Sequence, residues 1–396
     1  MLSEIKNLYY ITYQSFPSEK ANTIQTISNI KYFVKAGVNV SLFFPLREKT
    51  SSGDLSTIQS KYSLKEEFFI YPIVHNLPFG KVQIFNSFFF LISHYLWSRG
   101  VVKNILKNYK SPDLFFTRSE WIFYFLSKHR LNVIFECHQF SKVRNLLMKL
   151  ALKSNRSKVI FLNDNLYSDF KFKTLLKENF SILHNGVDYE YFQELPKKNK
   201  NEIVFVGSLQ RFGESRDIEF IIESLNSSNS EYKLKIIGGS TIEIQNLKNK
   251  YPDSFATNNI SISETLSRSA TLEEIKSSEV GLLINSDKNI HSTKYTSPLK
   301  YFEYLAAKLK IIAVDFDSHR KLPFSDKIVF FKHKDSKSFI DGLNELANLE
   351  VADIELKNHI SLEKRVNEIL ELGKKLHAWR DSNPQPSDPK SDALSS

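Results

Sequence analysis

The segment with the most chemically useful side chains is Tyr295-Thr-Ser-Pro-Leu-Lys-Tyr-Phe-Glu-Tyr-Leu-Ala-Ala307. It follows one buried-looking strand and precedes another, and Ser297-Pro298 predicts a helix start with a capping hydroxyl and a first-turn proline. The free amides and positive dipole end of such a helix suit a diphosphate. Lys300 adds a cation, and Glu303 can accept hydrogen bonds from a ribose diol. The alternative is a surface ion pair between Lys300 and Glu303.

Two other patterns bear on metal and redox chemistry. Asp315-Phe-Asp317 has a spacing that can bind a metal ion, but it ends a late strand, so a solvated turn is the favoured interpretation. The single cysteine, Cys137, cannot form an internal disulfide or a thiolate cluster. Redox chemistry and structural zinc are therefore not expected.

The charge balance points to phosphate-bearing partners. The 396 residues contain 54 Lys and Arg against 44 Asp and Glu, a formal charge of +10. Nucleic acid, anionic lipid and a nucleoside diphosphate all fit this sign. Because the lysines are widely spread and no nucleic-acid-binding motif accompanies them, we predict no nucleic-acid partner.

The elements that must position these residues alternate between short apolar runs and helical segments, which is typical of α/β folds with parallel sheets. A helical stripe over 24–34 ends at Gly37, and Thr271-Leu-Glu-Glu274 is a capping-box pattern. A linker rich in Lys and Asn, 187–201, separates two blocks. The predicted strands are 7–13, 38–45, 68–74, 113–117, 132–136, 158–162 and 181–184 in the first block, and 202–206, 233–237, 260–263, 281–284, 310–314 and 327–331 in the second.

An ordered set of motifs resembles the group 1 (family 4) glycosyltransferases. The set comprises His184-Asn-Gly-Val-Asp188, Val206-Gly-Ser-Leu209, Arg216-Asp-Ile-Glu-Phe-Ile-Ile222 and the Ser297 segment, within a resemblance that covers about residues 6 to 375. The resemblance implies a GT-B fold, with two facing Rossmann-like domains and a cleft between them. It also implies a retaining glycosyltransferase that uses a UDP-sugar or GDP-sugar and needs no cofactor or obligatory metal.

On the donor side, the resemblance implies that Arg216 takes the place of the family's phosphate-binding lysine, although Arg211 is close enough to substitute for it. Glu303 matches the second acid of the Glu-x7-Glu motif, which holds the ribose. Tyr295 replaces the first acid, which contacts the transferred sugar in the family, and Ser208 replaces a frequent arginine. The expected donor-binding residues are Gly207, Ser208, Arg211, Arg216, Gly238, Ser297, Pro298, Leu299, Lys300 and Glu303.

On the acceptor side, Phe135-Glu-Cys-His-Gln139 resembles the strand end that carries the family's cleft histidine. His138 and Arg216 are therefore the predicted catalytic residues, and a satisfied core histidine is the alternative for His138. Glu136 is expected to face the other side of the strand. Arg118 ends a neighbouring strand, where it contacts the acceptor or forms a structural ion pair, and Asn185 shapes the cleft floor as a third acceptor-side residue.

Segment 84–97 is the most apolar stretch, but it is too short to span a bilayer. We expect either a packed helix or a helix that dips into an anionic membrane surface, aided by Arg99, Lys103, Lys107 and Lys110. The protein is thus expected to be cytoplasmic, with peripheral contact with the inner face of the membrane as the second possibility.

The predicted organisation is an acceptor-binding Rossmann-like domain over 1–190 and a nucleotide-sugar-binding one over 200–358. A helix over 359–378 is expected to return to the first domain, followed by a disordered tail over 379–396. The predicted activity is sugar transfer to a glycan or lipid-linked acceptor in cell-surface polysaccharide or lipopolysaccharide biosynthesis. The main alternative is a catalytically silent GT-B protein that binds nucleotide or acts as a scaffold.

Overall fold

The protein contains two parallel β-sheets, each covered by helices on both faces. The computed structural model describes residues 4–18, 20–46, 51–75, 86–170, 179–211, 213–228, 230–349 and 357–382. Residues 84–85 of the apolar segment and 383–396 of the predicted tail therefore lie outside the described residues. The two sheets confirm the predicted α/β fold class.

The first sheet has seven parallel strands in the order β3-β2-β1-β4-β5-β6-β7. Its strand order reverses between β1 and β4, and ligands of open α/β sheets bind beside such a point, at the carboxyl ends of the strands. The strands are β1 (Asn7–Ile11), β2 (Asn39–Leu46), β3 (Phe69–Val74), β4 (Leu114–Thr117), β5 (Val133–Cys137), β6 (Ser157–Phe161) and β7 (Phe180–Ile182).

Helices cover both faces of this sheet and bury two apolar clusters against it. One face carries the first two helices, and the other carries the next four. In chain order they are α1 (Ala21–Lys35), α2 (Leu55–Tyr62), α3 (Asn86–Asn108), α4 (Glu120–Lys128), α5 (Lys142–Ala151) and α6 (Asp164–Phe170). As predicted, α1 ends just before Gly37, which has a φ of +82° that suits glycine.

The second sheet repeats the plan with six parallel strands in the order β12-β11-β8-β13-β14-β15. Its order reverses between β8 and β13, and a two-stranded antiparallel hairpin, β9 and β10, lies apart from it. The strands are β8 (Asn199–Val206), β9 (Gln210–Arg211), β10 (Glu214–Ser215), β11 (Lys233–Gly239), β12 (Ile260–Glu264), β13 (Ser278–Leu283), β14 (Lys310–Val314) and β15 (Ile328–Phe331).

The helices of the second half also form two layers, with an apolar cluster under each. They are α7 (Ile218–Ser227), α8 (Thr241–Lys250), α9 (Pro252–Ala256), α10 (Arg268–Ser277), α11 (Leu299–Ala306), α12 (Asp317–Arg320), α13 (Ser336–Ala347) and α14 (Lys357–Ile360). Short 3-10 helices span Tyr189–Phe192 and Ser325–Lys327, and a π-helical turn spans His291–Tyr295.

The last helix, α15 (Leu362–Ser382), returns to the first half. Its side chains Val366, Ile369 and Leu376 join the same cluster as Leu8 of β1 and Ile30 of α1. The first half is thus completed by residues from the far end of the chain.

Every predicted strand is present, although its ends differ by a few residues. The 187–201 linker is shorter than expected, because a 3-10 helix begins at Tyr189 and β8 begins at Asn199. Both helix-start predictions are wrong in detail. Pro298 occupies the N-cap position of α11 without a side-chain cap, and Thr271 lies inside α10, which Ser267 caps.

Candidate functional site

The centre of the candidate donor site is Gly207, directly after β8. Its φ is +146°, and its amide donates to the Ile237 carbonyl at 2.8 Å. A Cβ added here would lie 2.7 Å from Nη1 of Arg216 and 3.8 Å from Nζ of Lys300. Gly238, at the end of the neighbouring strand, also has positive φ, and a Cβ there would lie 2.9 Å from the Gly207 carbonyl oxygen. Glycine is therefore required at both positions, because the Arg216 guanidinium packs where a Cβ of residue 207 would lie and the Gly207 carbonyl oxygen lies where a Cβ of residue 238 would lie.

Arg216 lies just before α7, and its amide donates to the Leu209 carbonyl at 2.9 Å. Its guanidinium lies 5.8 Å from the ring centroid of Phe205, and its Nε is buried without a hydrogen-bond partner. Burial, followed by repulsion from Arg211, lowers the Arg216 pKa to about 9. An anion would relieve both costs, because it pairs with the charge and accepts the unused donor.

Lys300 and Arg211 complete the cationic cluster around this turn. Burial lowers the pKa of Lys300 to about 8 against an opposing effect of Glu303, and Arg216 lowers it further. Burial also lowers the pKa of Arg211, whose Nη1 donates to Thr296 Oγ1 at 3.4 Å. Within the described ranges, no ion pair engages Lys300 or Arg216. The local charge therefore favours a polyanionic ligand.

Glu303 is 3% exposed and lies one turn after Lys300 on α11. Its Oε1 lies 2.6 Å from Nη1 of Arg268, at the start of α10. Both side chains line a narrow cavity between the halves, together with Leu299. A carboxylate has about four lone-pair sites, so one arginine contact leaves capacity to accept further hydrogen bonds.

The segment before α11 is hydrogen-bonded to the first half of the molecule. Asn185 Nδ2 donates to the Ser297 carbonyl at 2.5 Å, and the Asn185 amide donates to Ser297 Oγ at 3.4 Å. This explains why Ser297 does not cap α11, since its hydroxyl is engaged by Asn185. Ser208 is exposed, and its hydroxyl donates to the Gln210 carbonyl at 2.7 Å.

His138 lies directly after β5 with a side chain that is 18% exposed. Its Nε2 lies 3.3 Å from Glu136 Oε1, so the expectation that Glu136 faces away is wrong. Residues two apart on a strand share a face. Burial, followed by repulsion from Arg118, lowers the His138 pKa to about 4, so this imidazole is neutral near pH 7. Arg118 itself donates from Nη1 to the Asn22 carbonyl at 2.9 Å.

Glu136 is the centre of a buried polar network that the sequence did not indicate. Arg365 of α15 contacts Glu136 through Nη2, and Gln25 of α1 donates to Glu136 at 3.1 Å. Gln25 also contacts the Asn185 side chain, and Arg365 Nε donates to the His184 carbonyl at 2.8 Å. The network thus connects His138 to the segment that leads into α11.

His291 and Tyr295 bring the loop before α11 against the first half. Burial, then Arg211 and then His138, lowers the pKa of His291 to about 3, so His291 lies within electrostatic reach of both halves. Tyr295 is 3% exposed, packs into the first half's apolar cluster and donates its hydroxyl to Asp169 of α6. The side chain that replaces the expected acid therefore takes part in an interface between the halves.

The geometry brings most of the predicted residues together. Gly207, Arg211, Arg216, Gly238 and Lys300 surround one turn, and Glu303 lies on the same helix as Lys300. Sequence reasoning missed the participation of Arg268 and Arg365. Arg365 had a usable signal, because it lies on the apolar stripe of its helix with Leu362 and Val366, where a charged residue needs a buried partner.

No group of three or more His, Cys, Asp or Glu side chains within the described ranges is arranged to hold a metal ion. Asp315 of the Asp-x-Asp pattern is paired with Arg320, at 2.7 Å from Nη2, and Asp317 begins α12. Among the helices that the structure describes, none has the length and apolarity needed to cross a membrane.

Comparison with known proteins finds similar solved structures but no similar sequence. No family model and no curated protein sequence matches the chain. A glycosyltransferase from Rickettsia africae ESF-5 has a TM-score of 0.63 at 13% identity, with 94% of this chain and 98% of that chain covered.

Two further solved structures cover both halves as well. The apo form of the lipopolysaccharide outer core galactosyltransferase WaaB has a TM-score of 0.57 at 13% identity, with 95% and 99% of the two chains covered. Anabaena Alr3699/HepE in complex with UDP and glucose has a TM-score of 0.56 at 10% identity, with 96% and 98% covered. At these identities the similarity shows the fold: the chain has a GT-B-like fold matching glycosyltransferase structures.

Proposed function

We propose that the protein is a retaining glycosyltransferase of group 1 (family 4). In this proposal, 200–358 binds a nucleotide-sugar donor, 1–190 binds the acceptor, and the helix over 359–378 belongs with the first domain. The observation that carries the proposal is the Gly207 turn, where the Arg216 guanidinium and the Lys300 ammonium group come together against a residue without a side chain. Half-buried cations that form no ion pair are costly unless an anion binds there.

Each donor-side residue then has a physical task. Gly207 and Gly238 allow the close packing that brings Arg216 beside Lys300, and Arg216, Lys300 and Arg211 neutralise the charge of the diphosphate. The segment Ser297, Pro298 and Leu299 presents the amino end of α11, and Ser208 lies at the rim. Glu303, oriented by Arg268, accepts from the ribose diol. The donor is a UDP-sugar or GDP-sugar, and the reaction needs no further cofactor or metal.

The chemical step is cleavage of the bond between the sugar and the diphosphate. Arg216 and Lys300 stabilise the negative charge that develops on the leaving diphosphate, a role that preorganised donors fill most effectively when water is excluded. His138 is neutral and can hydrogen-bond a sugar hydroxyl, but its lowered pKa of about 4 makes it a weak base for the acceptor proton. Arg118 and Asn185 contribute to the acceptor side.

The acceptor in this proposal is a glycan or lipid-linked glycan used in cell-surface polysaccharide or lipopolysaccharide biosynthesis. The protein works in the cytoplasm, in peripheral contact with the inner face of the membrane. The excess of basic residues supports this assignment, because both lipid headgroups and lipid-linked diphosphates are anionic.

The test has two arms. Thermal unfolding with UDP, GDP, ADP and CMP identifies the nucleotide, because a ligand that binds only the folded state raises the melting temperature. Donor consumption is then compared between the wild type and Arg216→Ala, for which we expect a loss of about 10² to 10³ in turnover. Arg156→Ala is the matched control, since that side chain contacts the Arg130 carbonyl at the opposite edge of the first sheet. An Arg216→Ala protein with nearly full turnover would refute the assignment.

A catalytically silent nucleotide-binding protein is the second candidate. The observation that favours it is Tyr295, whose hydroxyl donates to Asp169. The position therefore offers no carboxylate to a sugar. A silent protein shows a thermal shift with one nucleotide but consumes none of the corresponding donors.

A further inference from the structure

The residue that follows Arg216 has a strained backbone. Asp217 has a φ of +54° and a ψ of +31°, in the left-handed region that residues other than glycine rarely occupy. It directly precedes α7, but its side chain forms no capping hydrogen bond with that helix. Strain of this kind persists only where the surrounding structure imposes it, and it is concentrated at functional sites. The contacts of Asp217 therefore identify what holds the turn that carries Arg216.

Two residues of the turn after β15 hold the Asp217 carboxylate. His333 Nε2 donates to Oδ2 at 2.8 Å, and Lys334 Nζ lies 3.4 Å from Oδ1. Lys334 also has a positive φ, of +55°. The pairing accounts for the missing cap, because an N-cap residue usually has an extended backbone and directs its side-chain oxygen at the helix amides.

The imidazole of His333 is in turn fixed by the ends of neighbouring strands. Its Nδ1 lies 3.4 Å from Asp287, which follows β13, and its ring is centred 5.7 Å from that of Phe316, which follows β14. The side chain is 15% exposed. The turn itself is held by the Lys332 amide, which donates to Ser338 Oγ at 3.0 Å. His333 thus connects the carboxyl ends of three strands to the start of α7.

We propose that His333 is a positioning residue for Arg216, and that it acts by holding Asp217 in the left-handed conformation. The Arg216 amide donates to the Leu209 carbonyl at 2.9 Å, and the guanidinium packs against Gly207. These contacts fix the backbone before Arg216 and the end of its side chain, and the conformation of Asp217 fixes the backbone after it. The role of Arg216 as a phosphate ligand comes from the proposed function, so the inference rests on the proposed function in that respect.

The packing of α7 does not by itself fix this turn. The helix is attached to β15 and α13 further along, where Phe220 stacks on Phe331 at 6.3 Å and Ser224 Oγ lies 2.8 Å from Ser336 Oγ. These contacts hold the body of α7 without the imidazole, but they leave the backbone of Asp217 free to relax to an extended conformation. Loss of the imidazole should therefore move the turn and leave the helix in place.

Glycine substitution tests this route, because glycine adopts a positive φ without strain. His333→Leu should weaken the binding of UDP or GDP about tenfold, as expected if Arg216 then occupies its binding position about a tenth of the time. His333→Leu/Asp217→Gly should regain about fivefold of this affinity, because glycine holds the turn without the imidazole. Calorimetric titration measures both changes.

Asn258 provides the matched control for the glycine substitution. It has a φ of +55° and is exposed just before β12, at the edge of the second sheet opposite to the proposed site. His333→Leu/Asn258→Gly should therefore bind no better than His333→Leu. His359→Leu, at an exposed histidine of α14, should bind as the wild type does. Thermal unfolding verifies that each variant is folded.

Chemical modification of Arg216 separates this inference from the proposed function. Phenylglyoxal reacts with accessible guanidinium groups, and peptide mapping by mass spectrometry gives the rate at Arg216 in the absence of nucleotide. This rate should rise severalfold in His333→Leu and return towards the wild-type rate in His333→Leu/Asp217→Gly. If the wild type binds neither UDP nor GDP but these rates change as expected, the proposed function fails and the positioning role stands.

Two results would overturn the positioning role of His333. The first is a folded His333→Leu protein whose nucleotide affinity and Arg216 modification rate equal those of the wild type, even if its melting temperature is lower, since the contact would then be structural only. The second is a loss in His333→Leu that Asp217→Gly does not restore, because His333 would then act by a route other than Asp217.

Discussion

At the scale of single residues, the candidate donor site is a set of cations that are destabilised by desolvation and by one another's charge. Burial lowers the pKa of Lys300 to about 8 and that of Arg216 to about 9, and each charge opposes the other. Groups with strongly shifted pKa values are typical of functional sites. The free protein thus bears an electrostatic cost that the proposed diphosphate ligand would remove.

This cost predicts how nucleotide affinity depends on pH. The lowered pKa of Lys300 means that the free protein loses this charge as the pH rises through about 8, whereas a bound diphosphate keeps it. Affinity for the nucleoside diphosphate should therefore fall between pH 7.5 and 9, by up to about tenfold per pH unit. The ligand's own terminal phosphate, with a second pKa of about 6, is already ionised there. Calorimetric titration across this range measures the effect.

Lys300→Arg provides the internal comparison, because arginine at this position keeps its charge to a higher pH than lysine and should weaken the dependence. Lys248→Arg, at an exposed position on α8, should behave as the wild type. A wild-type affinity that stays constant from pH 7.5 to 9 would contradict the role of Lys300.

The family resemblance assigned Gly207, Arg211, Arg216 and Lys300 to the donor side, and the structure brings these residues to one turn, but their local partners were not predicted. Arg268 precedes Glu303 by 35 positions and meets it because α10 and α11 cover the same face of the sheet. Tyr295 and Asp169 belong to different halves. Such contacts depend on how elements pack, and a single sequence contains no direct signal for them.

At the scale of elements, Arg365 attaches the last helix, α15, to β5, to α1 and to the segment after β7. This side chain is 4% exposed and contacts Glu136 of β5, the His184 carbonyl and Asn29 of α1, the last at 3.3 Å. The guanidinium also holds the pKa of Glu136 well below its usual range, despite burial. One residue of the last helix thus keeps a buried carboxylate charged beside His138.

Replacement of Arg365 should therefore be costly. Arg365→Gln leaves Glu136 buried without its main counter-charge, and we expect the free energy of unfolding to fall by about 3 to 5 kcal/mol. Urea unfolding measures this loss. Where the variant folds, the pKa of His138 should rise, because Arg365 opposes its protonation while Glu136 favours it.

The neighbouring residue supplies the control. The Lys364 side chain is 43% exposed and lies 3.7 Å from Glu368, so Lys364→Gln should change stability by less than about 0.5 kcal/mol. Equal stability losses for the two variants would argue against a special role for the buried pair.

Short apolar runs predicted the strands, because the strands of a parallel sheet that is buried on both faces are apolar throughout, such as Ile311 to Val314 in β14. Caps and short hairpins were harder to predict. Ser297 has the right type for a cap, but Asn185 engages its hydroxyl. The hairpin of β9 and β10 has two residues per strand, too few for a period to emerge.

At the scale of the whole molecule, the two halves meet through polar contacts as well as packing. Lys31 of α1 lies 2.6 Å from Asp188 and 2.7 Å from Glu190 in the segment between the sheets. Both halves contain neutral histidines with little solvent access: His319 is fully buried, and His138 and His291 are half-buried. The pKa of His138 and that of His319 are lowered to about 4, chiefly by burial, and that of His291 to about 3.

These histidines predict acid sensitivity. An unfolded chain binds a proton at each imidazole below about pH 6.5, whereas the folded protein does not until the pH approaches 4. Stability should therefore be fully present above pH 6.5 and fall as the pH decreases towards 4, by about 1 kcal/mol per histidine per pH unit. Urea unfolding at pH 7 and pH 5.5 measures the difference. His319→Gln should reduce the slope, and equal stability at the two pH values would contradict the prediction.

The position of α15 has a consequence for biosynthesis. Leu362, Val366 and Leu376 complete the apolar cluster around Leu8, and a Cβ at Gly373 would lie 2.7 Å from a methyl carbon of Leu114. During translation, the strands of the first half leave the ribosome hundreds of residues before the helix that covers them. Helices α1 and α2 can cover part of that face at once, but the part under α15 stays exposed to solvent while the second half is made, when a nascent chain is prone to aggregation and depends on chaperones.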